Sequence, residues 1–197
     1  MNGNQLDNVK ERGFTLLELV VVVAVVGVLI SIFAPNLVSS KEGANAQMML
    51  KVPRQVADSW SLINQACNTP TAISGSPIPG ASKTVSDVLF GGVANVAAAY
   101  STCYSVAKVI PLADVGQPSG TAGVYSVAGY QMTLSGGGTS PISVAYASVP
   151  DSLALVMAQK YDPSLSALAP SDTTSAALQY STATAGTRTV TLFKQIN

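Results

Sequence analysis

The chain has 197 residues, with ten lysines and arginines set against ten aspartates and glutamates, and it contains no histidine. That rules out Ser–His and Cys–His nucleophilic pairs and the usual zinc ligand sets, and two cysteines alone cannot close a tetrahedral metal site. Sparse, balanced charge gives no basic field, so no strong nucleic-acid binding, cofactor or metal is expected, and the chain does not read as an enzyme.

Residues 1–13 are polar, with Asp7, Lys10, Glu11 and Arg12 and no periodic apolar pattern, and read as a leader. From Phe14 to Ala34 only Thr15, Glu18 and Ser31 are polar. As a helix this stretch is about 31 Å long, close to the hydrocarbon thickness of a bilayer, and a single span can satisfy its backbone in lipid only as a helix. Lys10 and Arg12 lie on its N-terminal side and nothing basic follows before Lys41. The positive-inside bias therefore keeps the N-terminus in the cytoplasm. Ile32-Phe33-Ala34-Pro35 is a poor Sec-type cleavage site, so processing is expected before the apolar run. Glu18 is out of place in an ordinary anchor, because a carboxylate in hydrocarbon costs at least ~2.5 kcal/mol and needs a cation. A cut between Gly13 and Phe14 supplies one: the new α-amino group, with a pKa of roughly 7.7–8, lies one helical turn before Glu18. That amine can be neutralised by its own Glu18 or by the Glu18 of a neighbouring molecule.

Gly13-Phe14-Thr15-Leu16-Leu17-Glu18 followed by the apolar run resembles the processing site of type IV pilins and pseudopilins, closely from Gly13 to Pro35 and little beyond. The resemblance implies that a prepilin peptidase cuts after Gly13 on the cytoplasmic face and N-methylates Phe14. It implies that Glu18 pairs with the Phe14 amino terminus of an adjacent subunit. Gly27 and Pro35 fall where such subunits carry the residues that loosen the helix between them.

Past Pro35 the helical period resumes, with Met49, Val52, Val56, Trp60, Ile63 and Cys67 at steps of three and four along one face. Pro53 within this stripe is expected to bend the helix rather than end it, and Asn68-Thr69-Pro70 to end it. Residues 70–86 read as a surface loop. A second helix is expected over 93–108, where Val93, Val96, Ala97, Tyr100, Cys103, Tyr104 and Ala107 share a stripe and Pro111 stops it. Gly91-Gly92 marks either its start or a break in a longer helix from Ser86 or Asp87. Alternation through Tyr130, Met132 and Leu134, and again through Ile142, Val144 and Tyr146, reads as a hairpin turning at Gly136-Gly137-Gly138. Pro150-Asp151 opens a short amphipathic helix bearing Leu153, Val156, Met157 and Tyr161 and ending at Asp162-Pro163. Two last strands, 177–182 and 187–193, are joined through Ala185-Gly186.

The sum is an α+β fold, a long N-terminal helix packed on an antiparallel sheet of about four strands with one or two short helices. The expected divisions are a cleaved leader (1–13), a membrane and filament-core half of the helix (14–35), its amphipathic half (36–67) and a globular head (68–197). Cys67 and Cys103 lie on the exported, oxidising side and on the apolar stripes of their helices, so they can meet in a disulfide worth roughly 4 kcal/mol; the alternative is two buried thiols. The family's common pattern instead staples a loop near the C-terminus. Asp87, Asp114, Asp151, Asp162 and Asp172 show no calcium-loop spacing and read as caps and turns. Some pseudopilins hold calcium with C-terminal aspartates, but no aspartate follows Asp172.

The expected function is structural: a subunit of a type IV pilus-like filament, serving adhesion, motility or DNA uptake. It waits in the inner membrane as a single-pass protein with its N-terminus in the cytoplasm. An inner-membrane assembly platform then polymerises it with copies of itself into an extracellular filament. The alternatives are a type II secretion pseudopilin or minor pilin and, from another class, a membrane-anchored periplasmic binding module that does not polymerise.

Overall fold

The computed structural model describes residues 16–119, 121 and 123–196, with side chains outside 32–40. The chain divides into two compact units, Met1–Lys41 and Glu42–Asn197, and helix α1 (Leu16–Cys67) belongs to both. In the second unit α1 buries Ala46, Met49, Val52, Val56, Ala57, Trp60 and Ile63, each at 2% exposure or less. Met49, Val52, Val56, Trp60 and Ile63, at steps of three and four, belong to the stripe the sequence predicts; Ala46 and Ala57 widen it, and Cys67 at its end is only partly buried. The helix continues through Pro53. Proline offers no N–H to the carbonyl of Met49, four residues back. That carbonyl accepts instead from the Tyr146 hydroxyl at 2.9 Å.

At Cys67 the helix stops and Asn68 turns to φ 50°. Buried Asn64 shapes the exit: its Nδ2 donates to the Trp60 carbonyl at 2.7 Å, and its Oδ1 accepts from Thr69 Oγ1 at 2.7 Å. Trp60 Nε1 in turn donates to the Thr71 carbonyl at 2.8 Å.

The sheet is antiparallel and has six strands in the order β1-β2-β3-β4-β6-β5. They are β1 (Gln117–Pro118), β2 (Tyr125–Val127), β3 (Tyr130–Gly137), β4 (Ser140–Pro150), β5 (Leu178–Tyr180) and β6 (Thr187–Lys194). The last four match the two predicted hairpins. β1 and β2 raise the expected count of about four, because strands of two and three residues are too short to display an alternation. Their hairpin with β3 turns at Ala128-Gly129, with φ 53° and 86°, just as β5–β6 closes near Ala185-Gly186, with φ 51° and 75°. Two successive positive φ values match the right-handed strand twist. Ile142, Val144 and Tyr146 of β4 and Val190 and Leu192 of β6 are fully buried and join the α1 face in one apolar cluster.

The expected second helix over 93–108 is not continuous. It is replaced by α2 (Val85–Gly91), single 3-10 turns at Gly92–Asn95 and Ala98–Tyr100, and α3 (Ser101–Ala107). Gly91-Gly92 is thus the break rather than the start. Between the 3-10 turns the backbone is extended at Val96 and Ala97. It pairs with residues far back in the chain, Ala97 N donating to Ile78 O at 2.8 Å and Gly80 N to Asn95 O at 2.9 Å. Those long-range bonds override the helical period, and Val93 of the expected stripe is 51% exposed. Tyr161 also leaves its expected stripe: α4 (Asp151–Gln159) buries Leu153 and Met157, but the helix has ended before Tyr161, which is 52% exposed.

Candidate assembly surface

Glu18 lies in the first turn of α1, exposed, with the apolar run behind it. Leu19, Val20, Val21, Val22 and Val23 are consecutive and each more than half exposed, so at 100° per residue the apolar surface covers the whole circumference. A helix apolar on all sides needs lipid or protein around it. Ser31 returns its hydroxyl to the helix, donating to the Val28 carbonyl at 2.7 Å. Around Gly27 no atom beyond the neighbouring residues and the adjacent helix backbone comes within 4 Å of where a Cβ would stand. Nothing within one chain therefore demands a glycine at that position. Gly13 and Phe14 lie outside the described residues; Pro35 falls within α1, its side chain outside them.

Among the described residues no helix is long and apolar enough to cross a membrane. The interval with described side chains, 16–31, is about 24 Å of helix, against the ~30 Å of a bilayer core. The expected span of 14–34 reaches beyond both of its ends.

In the second unit Cys67 and Cys103 are joined, with their Cα atoms 5.0 Å apart, tying the end of α1 to α3. No cysteine is free. A cleft of about 490 Å³ runs along α1 beside residues 194–196, with Arg54, Asp58, Leu62 and Lys194 in its lining. Its Arg54–Asp58 pair, 3.6 Å apart, is solvent-exposed. Pairs of that kind contribute little. Among the described residues no three acidic or sulfur side chains converge on a metal site.

Two buried polar centres are absent from the sequence-level expectations. Asp87, read there only as a cap or turn, closes a capping box on α2. The Thr84 N–H and hydroxyl both donate to its Oδ2, at 2.8 and 3.0 Å, and the Tyr125 hydroxyl donates to Oδ1 at 3.2 Å. Burial pushes its pKa up, but the Thr84 and Tyr125 hydrogen bonds and the Lys83 charge outweigh it and hold the carboxyl below its ordinary value. Burial, with the Asp87 charge beside it, raises the Tyr125 phenol. The Thr-x-x-Asp spacing carries the capping signal, but the Tyr125 contact has no local one. The second centre is Arg188, 7% exposed, whose Nε donates to Asp151 Oδ1 at 2.7 Å. A buried arginine on a strand leaves no trace in sequence periodicity.

Residues 8–34 match the prokaryotic N-terminal methylation motif. Over 38 residues the chain is 55% identical to the type II secretion system core protein G of Escherichia coli K12, covering 19% of this chain and 26% of that protein. The proteins of the same name from Klebsiella pneumoniae (49% over 41 residues, 21% and 29% of the two chains) and Dickeya chrysanthemi (53% over 38 residues, 19% and 25%) are similar. The match spans about a quarter of the length of these curated relatives. No solved structure matches the chain significantly. The N-terminal stem thus carries the prokaryotic methylation motif and is similar to the stems of type II secretion core G proteins, and it continues into an α+β fold.

Proposed function

We propose that the chain is a structural subunit of a type IV pilus-like filament, cut after Gly13, N-methylated at Phe14 and polymerised through residues 14–35. The observation that carries this reading is the helix interval behind Glu18, apolar around its whole circumference and exposed in the single chain. Lipid would cover that surface equally well but has no use for a carboxylate, whereas a filament core supplies the Phe14 amine of the next subunit. Open space around Gly27 suits the close approach of a second helix, and Pro35, lacking an N–H, is where the ladder can loosen between them.

On this reading the chain waits in the inner membrane with its N-terminus in the cytoplasm, where a prepilin peptidase processes it. The assembly platform then withdraws it into a filament whose outer surface is formed by the heads, residues 68–197. The role is structural rather than catalytic, and adhesion, motility and DNA uptake are all compatible with it. The relatives named as type II secretion core proteins favour a second reading, a pseudopilin of such a system.

Mass spectrometry of sheared surface filaments tests the first reading, which expects this chain beginning at methylated Phe14. Gly13→Val should block the cut, because a branched side chain does not fit the close backbone approach made there. A mature N-terminus beyond Ala34, or a processed chain found only as monomer in the membrane, overturns it.

A further inference from the structure

Between α4 and β5 the chain makes a long irregular passage over residues 160–177, and none of these residues is buried. Leu165 and Leu168 pack against the core but stay partly exposed, so hydrophobic burial gives the passage only a partial hold. Gln159 Nε2 of α4 donates to the Leu165 carbonyl at 2.9 Å and Phe193 N of β6 to the Ala177 carbonyl at 3.0 Å, pinning the passage near its two ends. Between these, polar contacts hold it at two points. The first is the edge of the sheet. β5 is the last strand, with β6 on one side only, and the main chain of Asp172 takes the place of a further strand. Tyr180 N donates to Asp172 O at 2.8 Å, and Asp172 N donates to Tyr180 O at 3.0 Å. Asp172 Oδ1 accepts from the N–H groups of Thr174 and Ser175 at 2.9 and 3.1 Å, which fixes the turn that makes this possible.

The second point is Arg188. One of its terminal nitrogens, Nη1, donates at 3.3 Å to three carbonyls, those of Ala169 and Pro170 in the passage and that of Ser181 just after β5. Its Nε holds Asp151 at the start of α4, and its guanidinium carbon lies 5.1 Å from the centre of the Tyr180 ring. A buried cation is tolerated only while its donors are met, and the planar fork of arginine meets several acceptors at once. Lifting residues 169–170 away would strip this charge of two of its acceptors. The buried charge therefore pulls the passage shut although the passage has no core of its own.

We propose that Arg188 is a latch and residues 160–177 a strap that it holds over the sheet edge, so that the strap opens as one unit while the rest of the fold stays intact. What the strap guards is the outer backbone of β5, which when bare is a template for pairing with another chain. This inference does not depend on the filament reading.

Hydrogen exchange on the full-length chain in detergent tests it. In the parent, the amides of Asp172, Thr174, Ser175 and Tyr180 should exchange together and well ahead of the β4 amides. Exchange of these four only through global unfolding overturns the strap without recourse to any variant. Arg188→Met should speed the four amides by about 10- to 100-fold and leave those of β4 unchanged. Arg188→Lys, which keeps the charge but not the fork, should recover only part of the protection. Equal acceleration of β4 in Arg188→Met would make Arg188 a general stabiliser and overturn the latch.

Discussion

The Tyr146 hydroxyl, on the central strand β4, donates a 2.9 Å hydrogen bond to the carbonyl of Met49 in α1. Both residues are fully buried. The carbonyl is free to accept it because Pro53 has no N–H, so a defect in the helix ladder becomes the point where helix and sheet are joined.

Tyr146→Phe should therefore destabilise the protein by about 1–3 kcal/mol, the cost of leaving a buried carbonyl unmet. In a Pro53→Ala background the alanine N–H can take up the same carbonyl, and the loss from Tyr146→Phe should shrink. A double-mutant cycle by chemical denaturation measures that coupling; equal losses in both backgrounds would show that the two positions act independently.

Glu18→Ala should leave membrane insertion and cleavage intact, since it removes a carboxylate from an apolar run, yet strongly reduce filaments. The Phe14 amine of an incoming subunit would enter a low-dielectric core without its anion. Glu18→Gln keeps shape and hydrogen bonding but not charge. Assembly of the glutamine variant at the parental rate, followed by shearing yield, would exclude charge pairing as the recruiting interaction.

The Cys67–Cys103 bridge closes a sequence separation of 36. On the chain-entropy model its reduction should cost roughly 4 kcal/mol, chiefly by freeing the unfolded chain. Non-reducing peptide mapping should find the two joined within one chain, and thermal unfolding with reductant should move to lower temperature.

Asp87 gives a pH signature. Its folded pKa lies below its ordinary 3.8, so the stability its charge contributes is complete above that value and lost as pH falls through the lower folded value. Asp87→Asn should accordingly be less stable than the parent at neutral pH, with the gap narrowing as the medium is acidified below pH 3.8. Urea midpoints of parent and variant across this window check the sign.

Gly137 has φ +79°, and a Cβ there would run into the Thr71 carbonyl, the acceptor of the Trp60 indole N–H. Ile73 N donates to Gly136 O at 3.0 Å in the same contact, which docks the loop after α1 onto the tip of the β3–β4 hairpin. Gly137→Ala should cost about 1–3 kcal/mol from its backbone conformation alone, with the displaced Thr71 contact added to it. Trp60 fluorescence should report a loosened environment in the folded variant.

What could be read from the sequence is what repeats locally or carries chemistry that other contexts do not tolerate. The steps of three and four from Met49 to Ile63 are a helix face wherever they occur, and the alternations from Tyr130 to Tyr146 with glycines between them are a hairpin. Glu18 within an apolar run is so costly that the sequence alone announces a partner. Even the missed β2–β3 hairpin had a usable local sign, since Ala128-Gly129 repeats the Ala-Gly pair that marked Ala185-Gly186. Only tertiary structure decided the rest, because there the deciding partner lies far along the chain. Ile78 and Gly80 draw residues 95–97 out of a helix that their own period favours. Tyr146 finds Met49 across a separation of 97 residues, and Arg188 gathers Asp151, Ala169, Pro170 and Ser181 around one buried charge. A periodicity reports which face of an element is apolar, but a buried polar group is satisfied by whichever acceptor the fold carries to it, and no local pattern encodes that choice.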